Sequence, residues 1–543
     1  MSKIRIVFTL FCILFILIVI RLFYLQIVAP LTPASNAYLK YKKIAPQRGR
    51  VYDRNGQPFV LNQTSYLLYI EPKKMKDKEK LVDKLDEVLK IGEATLEAKI
   101  NEKKDWIAIV GGVSKEKKEK IASFRFPEVG FEDNLKRYYP EASLAAHLLG
   151  FVGKNKDSDD VGYFGIEGFY DKELTGLPGL IKTERDILGR PILLGSQEKI
   201  ESENGRDLVL TIDKSVQQIV KQKLLSGLER YKAKEGCVLV ADPYTMEILA
   251  NVCLPDFDLD KYYLFSEEFF KNSAISSSYE PGSTFKPLIM AAALQEKKVK
   301  PDDLYNEQGA VEIGGYKIRT WDDKYEGKIS MTRILEKSSN VGMVSVGQKL
   351  GGRKLLKFLR AYGFGTPTEI DLQGEASGLL KAEKDWRTID YATVTFGQGI
   401  AITPIQMLTA FSSLVNGGEL LQPHIKRSIE KRVKRRTISA KTSEIIKKML
   451  ISSVERGEYK WIKPKGYKIG GKTGTSQIPL EGRYDPSKTI ASFVGFAPAD
   501  KPKFIALILL REPRTSIYGS ETAAPLFFEI AKELLVYYNI APE

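Results

Sequence analysis

Three short motifs, spaced far apart along the chain, constrain the fold more than any other feature of the sequence. They are Ser283-Thr284-Phe285-Lys286, Ser338-Ser339-Asn340 and Lys472-Thr473-Gly474-Thr475, in that order. Each is common by itself, and Ser114 with Lys117 repeats the Ser-x-x-Lys spacing in a plain polar stretch. Together they supply hydroxyls, two amines and an amide. These groups act jointly only if the fold brings all three motifs to one cleft.

The first motif lies at a predicted helix start. Residues 279–282, Tyr-Glu-Pro-Gly, are typical of a turn, and the apolar, Ala-rich residues 288–294 predict a buried helix. At the start of that helix, the dipole and the free backbone N–H groups favour negative charge developing on Ser283. Lys286, three positions on, lies on the same face, and we expect it to reach the Ser283 hydroxyl.

The histidine count removes the Ser-His-Asp triad as an explanation. The chain has only His147 and His424, neither in a motif typical of a triad partner, and we expect both to be structural. A serine nucleophile then needs another base, and a lysine serves only if burial or a neighbouring cation lowers its pKa. Lys286 is the candidate base and Lys472 the candidate cation.

The other two motifs are predicted to face the same cleft. Lys472 lies on a predicted strand over residues 467–477, in which Gly470, Gly471 and Gly474 remove side-chain bulk, so that a substrate backbone could lie alongside. The middle motif follows a predicted amphipathic helix over residues 331–337. We expect Ser338 and Asn340 to point into the cleft from the loop after it. Ser338 could relay protons, and Asn340 could hold a substrate amide and orient Lys286.

The motif set resembles that of class B penicillin-binding proteins, the D,D-transpeptidases that cross-link peptidoglycan. The resemblance covers nearly the whole chain, because four further segments look like family segments: 48–56, 137–140 followed by His147 and Gly150, 165–167, and 396–399 with Thr403-Pro404. In the family the last of these lies close to the catalytic cleft, and the first three build a non-catalytic pedestal. The resemblance therefore implies a structural salt-bridge set of Arg48, Arg50, Asp53 and Glu167.

The resemblance also implies the role of each motif residue. Ser283 is the nucleophile acylated by the penultimate D-Ala carbonyl of a peptidoglycan stem peptide, Lys286 is the base, and Ser338 and Asn340 assist it. Lys472, Thr473 and Thr475 bind the terminal carboxylate, with Gly474 among the substrate-binding residues. The backbone N–H groups of Ser283 and Thr475 form the oxyanion hole. Beta-lactams acylate the same serine.

The expected fold class is α/β. A penicillin-binding, serine beta-lactamase-like transpeptidase domain, with an antiparallel sheet and flanking helices, follows an elongated α+β pedestal. Paired strands are predicted around Pro243, further strands at 205–213, 490–496 and 504–510, and a final helix at 523–536. The predicted domains are an anchor at 1–28, a non-catalytic, dimerisation-type pedestal at 29–205 and the transpeptidase domain at 206–543.

The N-terminus carries a predicted membrane anchor. Residues 6–20 are apolar apart from one threonine, Lys3 and Arg5 precede them, and residues 22–25 continue the run beyond Arg21. A span needs about 20 residues, so Arg21 has to extend to the interface. A cleaved signal peptide is the alternative, but residues 27–29 form a poor cleavage site and Pro30 follows. We expect a single-pass protein of the bacterial inner membrane, with a short cytoplasmic start and an extracytoplasmic catalytic domain.

Composition limits the classes of partner and cofactor that the protein is expected to bind. The net charge of +15 is compatible with nucleic acid, but no nucleic-acid motif accompanies it, and a basic surface suits an anionic membrane or wall equally well. Neither a metal-binding cluster nor a phosphate-binding loop is recognised, so no cofactor is expected. Of the three cysteines, Cys12 lies in the apolar run. Cys237 and Cys253 are expected to be small buried side chains, with pairing across a hairpin as the alternative.

Three other functions stay open. A D,D-carboxypeptidase or beta-lactamase has the same site but uses water as the acceptor, and we identify no acidic residue placed as in hydrolytic beta-lactamases. A penicillin sensor normally carries a cytoplasmic signalling domain, for which the residues before Ile6 leave no room. A catalytically silent scaffold for division proteins would not need the three motifs, and their being intact argues against that function. Ser338-Ser339-Asn340 resembles division or sporulation enzymes, which implies as partners a membrane-embedded glycan polymerase and other division proteins.

Overall fold

The computed structural model describes residues 2–28, 39–101, 104–156, 159–184, 197–427, 430–459, 462–480 and 483–542. The α-helices of these residues are α1 Ser2–Phe23, α2 Lys78–Leu89, α3 Glu93–Ile100, α4 Lys115–Ser123, α5 Ala146–Leu149, α6 Gly165–Phe169, α7 Asp171–Thr175, α8 Lys214–Tyr231, α9 Ser273–Ser276, α10 Lys286–Gln295, α11 Met331–Glu336, α12 Asn340–Leu350, α13 Gly352–Ala361, α14 Thr388–Thr393, α15 Pro404–Ser412, α16 Ala440–Arg456 and α17 Ala523–Tyr537.

The strands are β1 Leu39–Ile44, β2 Val51–Tyr52, β3 Pro58–Ile70, β4 Ile107–Val113, β5 Val129–Tyr138, β6 Phe151–Lys154, β7 Asp160–Tyr163, β8 Gly179–Glu184, β9 Gln197–Ile200, β10 Leu208–Val209, β11 Glu235–Ala241, β12 Ile248–Leu254, β13 Leu304–Glu307, β14 Val311–Ile313, β15 Tyr316–Ile318, β16 Gly327–Ser330, β17 Glu419–Leu421, β18 Val433–Arg436, β19 Gly470–Leu480, β20 Arg483–Ala497 and β21 Phe504–Arg511.

The chain divides into two compact units. The first comprises residues 1–49 and 175–206. It holds α1 and the antiparallel sheet β1-β8-β9. Residues 3–27 are helical with exposed side chains, and an 18-residue stretch within them has a mean hydropathy of 3.0, so this segment is long and apolar enough to cross a membrane. The alternative cleavage site extends to Ala29 and Pro30, which lie outside the described residues.

The second unit comprises residues 50–174 and 207–543. Its N-terminal part is a sheet of order β10-β2-β3-β4, with β5 also paired to β3. The amphipathic helix α2 buries Leu81 and Leu85 against Leu68 and Ile109 of this sheet. The segment 205–213 was predicted to be a strand of the catalytic domain, but only Leu208–Val209 is extended, and it pairs in parallel with β2.

The pedestal residues assigned to a structural salt-bridge set make the following contacts. Arg50 pairs with Asp207 at 2.9 Å. Glu167 is fully buried and pairs with Arg137 at 2.7 Å. Asp53 accepts hydrogen bonds from three backbone N–H groups, and Arg48 donates one to a threonine hydroxyl. These contacts stabilise the fold around the four residues, and their grouping into one salt-bridge set stays a prediction.

A five-stranded antiparallel sheet of order β12-β11-β21-β20-β19 forms the centre of the catalytic region. Strands β11, β12 and β21 are buried along almost their whole length, because helices cover both faces. On one face α8 packs against β11 and β12, and α17 packs against β20 and β21. On the other face lie α9, α10 and α15, and β19 forms one end of the sheet.

The cysteine expectation was wrong in part. Cys237 and Cys253 are buried, as expected, but they are directly opposed in the β11-β12 register and form a disulfide. Their Cα atoms lie 4.1 Å apart, a separation that the antiparallel hairpin imposes. Cys12 is exposed on α1.

Candidate active site

Ser283 lies in a single 3₁₀ turn, Gly282–Phe285, that leads directly into α10. Ser283 is partly exposed, whereas Thr284, Phe285 and Lys286 are buried. The first N–H groups of a helix have no partner within it, so this turn permits the expected oxyanion-hole role of the Ser283 N–H, which stays a prediction. The helix start predicted from the sequence is therefore present.

The segment 396–402 fixes the turn before Ser283. Gly397 accepts a hydrogen bond from the N–H of Gly282 at 3.1 Å, and Tyr279 exchanges two backbone hydrogen bonds with Ile402. A Cβ on Gly397 would lie 2.2 Å from the Gly282 carbonyl oxygen, so only glycine permits this approach. The segment that the resemblance placed near the cleft is thus a support of the nucleophile turn.

Gly474 permits close packing within the protein, and its expected place among the substrate-binding residues stays a prediction. A Cβ there would lie 2.4 Å from Ser492 Oγ and 2.9 Å from Thr284 Cγ2. Gly470 and Gly471 similarly face Phe496 and Phe493. The missing side chains therefore let the strand pack against its own neighbours. At Gly474 this brings β19 against the Ser283 turn.

Lys286 is fully buried and points at the middle motif. Its Nζ donates to the carbonyl oxygen of Ser338, to Ser338 Oγ at 3.1 Å and to Asn340 Oδ1 at 2.8 Å. Among the described residues the amine makes no hydrogen bond to the Ser283 hydroxyl, which the sequence had led us to expect. A neutral amine keeps two N–H donors, enough for Asn340 and the Ser338 carbonyl. Its lone pair is then free to accept the proton of a hydroxyl.

The backbone of the middle motif is arranged for this contact. Helix α11 ends at Glu336, and Ser338 takes a left-handed conformation with φ of 61°. Such a conformation costs a non-glycine residue about 1 kcal/mol. It turns both oxygens of Ser338 toward Lys286. The prediction that Asn340 lies in a loop was wrong, because Ser339 caps α12 and Asn340 is its first residue.

Lys472 is buried on β19 and donates to Thr473 Oγ1 at 3.2 Å. Thr475 is partly exposed, and its hydroxyl accepts a hydrogen bond from the N–H of Gly519 at 2.9 Å. The lysine ammonium and the two threonines lie along one strand beside the Ser283 turn. This arrangement can bind a carboxylate.

Burial and charge determine the protonation of both lysines. Burial, and then the charge of Lys472, hold the pKa of Lys286 well below its usual value, while Glu458 and Glu307 oppose the shift. Burial lowers the pKa of Lys472 to about 8, again opposed by Glu458. The lowered pKa of Lys286 favours the neutral amine that a base needs, while Lys472, with a pKa of about 8, is mostly cationic at neutral pH.

Two glutamates near the lysines escaped the sequence reasoning. Glu307 is buried at the end of β13 and accepts hydrogen bonds from Ser339 Oγ, Lys337 Nζ at 3.2 Å and Glu326 N at 3.1 Å. It holds the middle motif in place. No local signal marks it, because the motif lies 32 residues further along the chain.

The second glutamate is Glu458, which follows the end of α16. One of its oxygens accepts a hydrogen bond from Trp321 Nε1 at 2.6 Å, and burial raises the pKa of its carboxyl. The sequence had indicated no acidic residue placed as in hydrolytic beta-lactamases; this carboxylate raises the pKa of both Lys286 and Lys472.

The two histidines lie elsewhere. His147 Nε2 meets the carbonyl oxygen of Phe269 at 2.8 Å, and burial lowers its pKa. His424 meets the carbonyl oxygen of Gln422. In the described part of the chain, no group of three or more His, Cys, Asp or Glu side chains is placed to hold a metal ion.

Comparison with known proteins agrees with this geometry. Residues 236–532 match the family model of the penicillin binding protein transpeptidase domain, and residues 43–210 match the penicillin-binding protein dimerisation domain. The domain boundaries inferred above stay predictions.

Three relatives illustrate the likeness. Stage V sporulation protein D of Bacillus subtilis is 33% identical, over 98% of this chain and 85% of that one. Peptidoglycan D,D-transpeptidase FtsI of Escherichia coli is 28% identical, over 96% of this chain and 90% of that one. The crystal structure of Penicillin Binding Protein 2X from Streptococcus thermophilus superposes with a TM-score of 0.75 at 25% identity, covering 92% of this chain and 80% of that one.

These matches confirm the resemblance drawn from the motifs and the expected α/β fold class. The chain belongs to the penicillin-binding protein transpeptidase family.

Proposed function

We propose that this protein is a peptidoglycan D,D-transpeptidase, a serine acyltransferase of cell-wall synthesis in division or sporulation. The observation that carries the proposal is the convergence of Lys286 Nζ on Ser338 and Asn340, with a second buried lysine, Lys472, at the same cleft. The names of its relatives support the same activity.

In the acylation step, neutral Lys286 takes the proton of the Ser283 hydroxyl as Oγ attacks the penultimate D-Ala carbonyl. The N–H groups of Ser283 and Thr475 stabilise the oxyanion. The proton then passes, with Ser338 as relay, to the nitrogen of the departing D-Ala. Lys472, Thr473 and Thr475 bind its carboxylate until it leaves. Asn340 holds the amide of the donor peptide and keeps Lys286 in position.

In the second step, a primary amine of a neighbouring stem peptide attacks the acyl-serine. Lys286 accepts one amine proton, the new amide bond forms, and the proton returns to Ser283 Oγ as the ester breaks. A beta-lactam acylates Ser283 in the same way, but its leaving nitrogen stays attached within the acyl group.

We place the protein in the bacterial inner membrane, with α1 as a single span, a short cytoplasmic start and the catalytic region outside the cytoplasm. The hydropathy of α1 supports a span. The Cys237–Cys253 disulfide suits an oxidising compartment. A membrane-embedded glycan polymerase and other division proteins are the proposed partners.

Labelling of the full-length protein in detergent with a fluorescent penicillin tests the proposal. We expect Ser283→Ala to abolish labelling. Ser114→Ala is the matched control, because Ser114 has the same Ser-x-x-Lys spacing but caps α4, and it should label like the native chain. A native protein that folds and does not label would refute the proposed mechanism. Product analysis with a stem-peptide donor and an amine acceptor would then separate cross-linking from hydrolysis.

A further inference from the structure

An exposed aromatic pair and a carboxylate lie at the cleft, and the acylation chemistry uses none of them. Trp321 and Tyr518 keep 49% and 37% of their surface exposed, and their ring centroids lie 5.5 Å apart at a steep angle. The indole N–H of Trp321 donates to Glu458 Oε1 at 2.6 Å. The three side chains form a continuous group, which we call the Glu458 cluster.

The Glu458 cluster joins the two walls of the cleft. Trp321 lies two residues after Arg319, whose carbonyl oxygen accepts a hydrogen bond from Asn340 Nδ2 at 2.9 Å. Tyr518 directly precedes Gly519, which donates to Thr475 Oγ1. One aromatic residue therefore belongs to the wall of the middle motif and the other to the wall of β19.

The carboxylate of this cluster lacks a cationic partner. Among the described residues Glu458 makes no ion pair, and its one hydrogen bond goes to Trp321. Lys472 and Lys286 act on it electrostatically but form no salt bridge with it. A carboxylate beside aromatic rings, with one oxygen still free, has the chemistry that binds a primary ammonium group.

The position of the cluster indicates which ammonium it meets. Glu458 is joined through Trp321 to Tyr518, the neighbour of Gly519, which donates to Thr475 Oγ1. The cluster therefore lies toward the end of the site where the terminal carboxylate of the donor is proposed to bind. The incoming amine must take the place that the D-Ala nitrogen has vacated, because aminolysis of the acyl-serine reverses acylation through the same positions.

We propose that Glu458, Trp321 and Tyr518 form the subsite that binds the ammonium group of the acceptor peptide. The bound group loses one proton to solvent water and then attacks the acyl-serine as the neutral amine. This inference rests on the proposed function. The subsite raises the local concentration of amine over water at the acyl carbonyl. A cationic side chain on the donor peptide is the other source of the same chemistry, and the experiment separates the two.

The test measures how one acyl-enzyme is partitioned between amine and water. The full-length protein in detergent receives a benzoyl-D-alanyl thioester, a donor without an amine, and either D-alanine or D-lactate as acceptor. We expect Glu458→Gln to lower the ratio of D-alanine transfer to hydrolysis about tenfold or more, the effect of losing one charged hydrogen bond. Transfer to D-lactate, relative to hydrolysis, should stay within about twofold of native, because D-lactate has a hydroxyl in place of the ammonium.

Glu455→Gln is the matched control. Glu455 is exposed on α16, three residues before Glu458, and its substitution removes the same negative charge. Acylation of Ser283 by benzylpenicillin reports that each variant is folded. If no acyl-enzyme forms in the native chain, the proposed function fails and the subsite with it.

An unchanged ratio in Glu458→Gln, or equal loss for D-alanine and D-lactate, would overturn the subsite alone. So would an effect that appears only with donor peptides that carry lysine rather than norleucine, because that result assigns the cluster to the donor.

Discussion

Replacement of Glu307 by glutamine tests whether the middle motif is held in place by a residue that no motif contains. The native carboxylate accepts from Ser339 Oγ, Lys337 Nζ and Glu326 N, and its side chain is fully buried. A glutamine keeps one acceptor oxygen and presents an amide N–H₂ to the remaining donors. Lys337, only 8% exposed, loses its close anionic partner.

The magnitude follows from that loss. Removing one partner of a buried ion pair costs about 3 to 5 kcal/mol of unfolding free energy. At about 2.1 cal/mol/K of unfolding entropy per residue, residues 207–543 contribute roughly 0.7 kcal/mol/K. The midpoint of thermal unfolding should therefore fall by about 4 to 7 °C.

Activity should fall as well, because the turn that carries Ser338 and Asn340 orients Lys286. A displacement of about 1 Å there costs on the order of a hundredfold in rate, so we expect the second-order rate constant for acylation by a fluorescent penicillin to fall by at least about tenfold.

Differential scanning calorimetry and stopped-flow labelling of the full-length protein measure the two effects. Glu326→Gln is the matched control. Its carboxylate is partly exposed and pairs with Arg333, so the substitution should cost under about 1 kcal/mol. If Glu307→Gln unfolds within about 1 °C of the native chain and labels at the native rate, Glu307 does not support the site and the reasoning fails.

Three further predictions concern the site itself. The pH profile of acylation should rise as Lys286 loses its proton and fall as Lys472 loses its own near pH 8, and Lys472→Arg should remove the alkaline limb, because a guanidinium stays charged. A profile that is flat through pH 8 in the native chain would contradict this assignment. Asn340→Asp places a negative charge 2.8 Å from the Lys286 amine and raises the pKa of that amine. The acidic limb of the pH profile should therefore shift to higher pH, and labelling at pH 7 should fall about tenfold. An unshifted limb would count against Lys286 as the base. Gly474→Ala should lower the free energy of unfolding by about 1 to 3 kcal/mol in urea denaturation and reduce labelling, because its Cβ meets the nucleophile turn, whereas Gly309→Ala, which faces open space, should change neither.

The elements that the sequence predicts well are those with a strong local pattern. The hairpin around Pro243, the buried helix after Lys286 and the helix before Ser338 are present close to their predicted bounds. In each, a continuous apolar run or a helical period is bounded by turn residues, so neighbours in the chain determine the structure.

The parts that escaped prediction depend on long-range contacts. Glu307 and Glu458 reach the cleft from segments that contain no motif, and Arg50 pairs with an aspartate 157 residues away. The packing of Gly474 was not foreseen, because its neighbours Ser492 and Thr284 come from other segments. The sequence alone predicts the residues that carry out the chemistry. The residues that position them and shift their pKa values are recognised only in the folded structure.

The strand order of the central sheet also has a consequence for how the protein is made. β11 pairs with β12, the next strand in the chain, but its other edge pairs with β21, where Glu235 faces Arg511. Until β21 emerges, β11 has an apolar, unpaired edge, and such an edge is prone to aggregation. Contacts of such high sequence separation also slow folding. We therefore expect the catalytic region to fold only after β21 has been made, and the nascent chain to depend on chaperones until then.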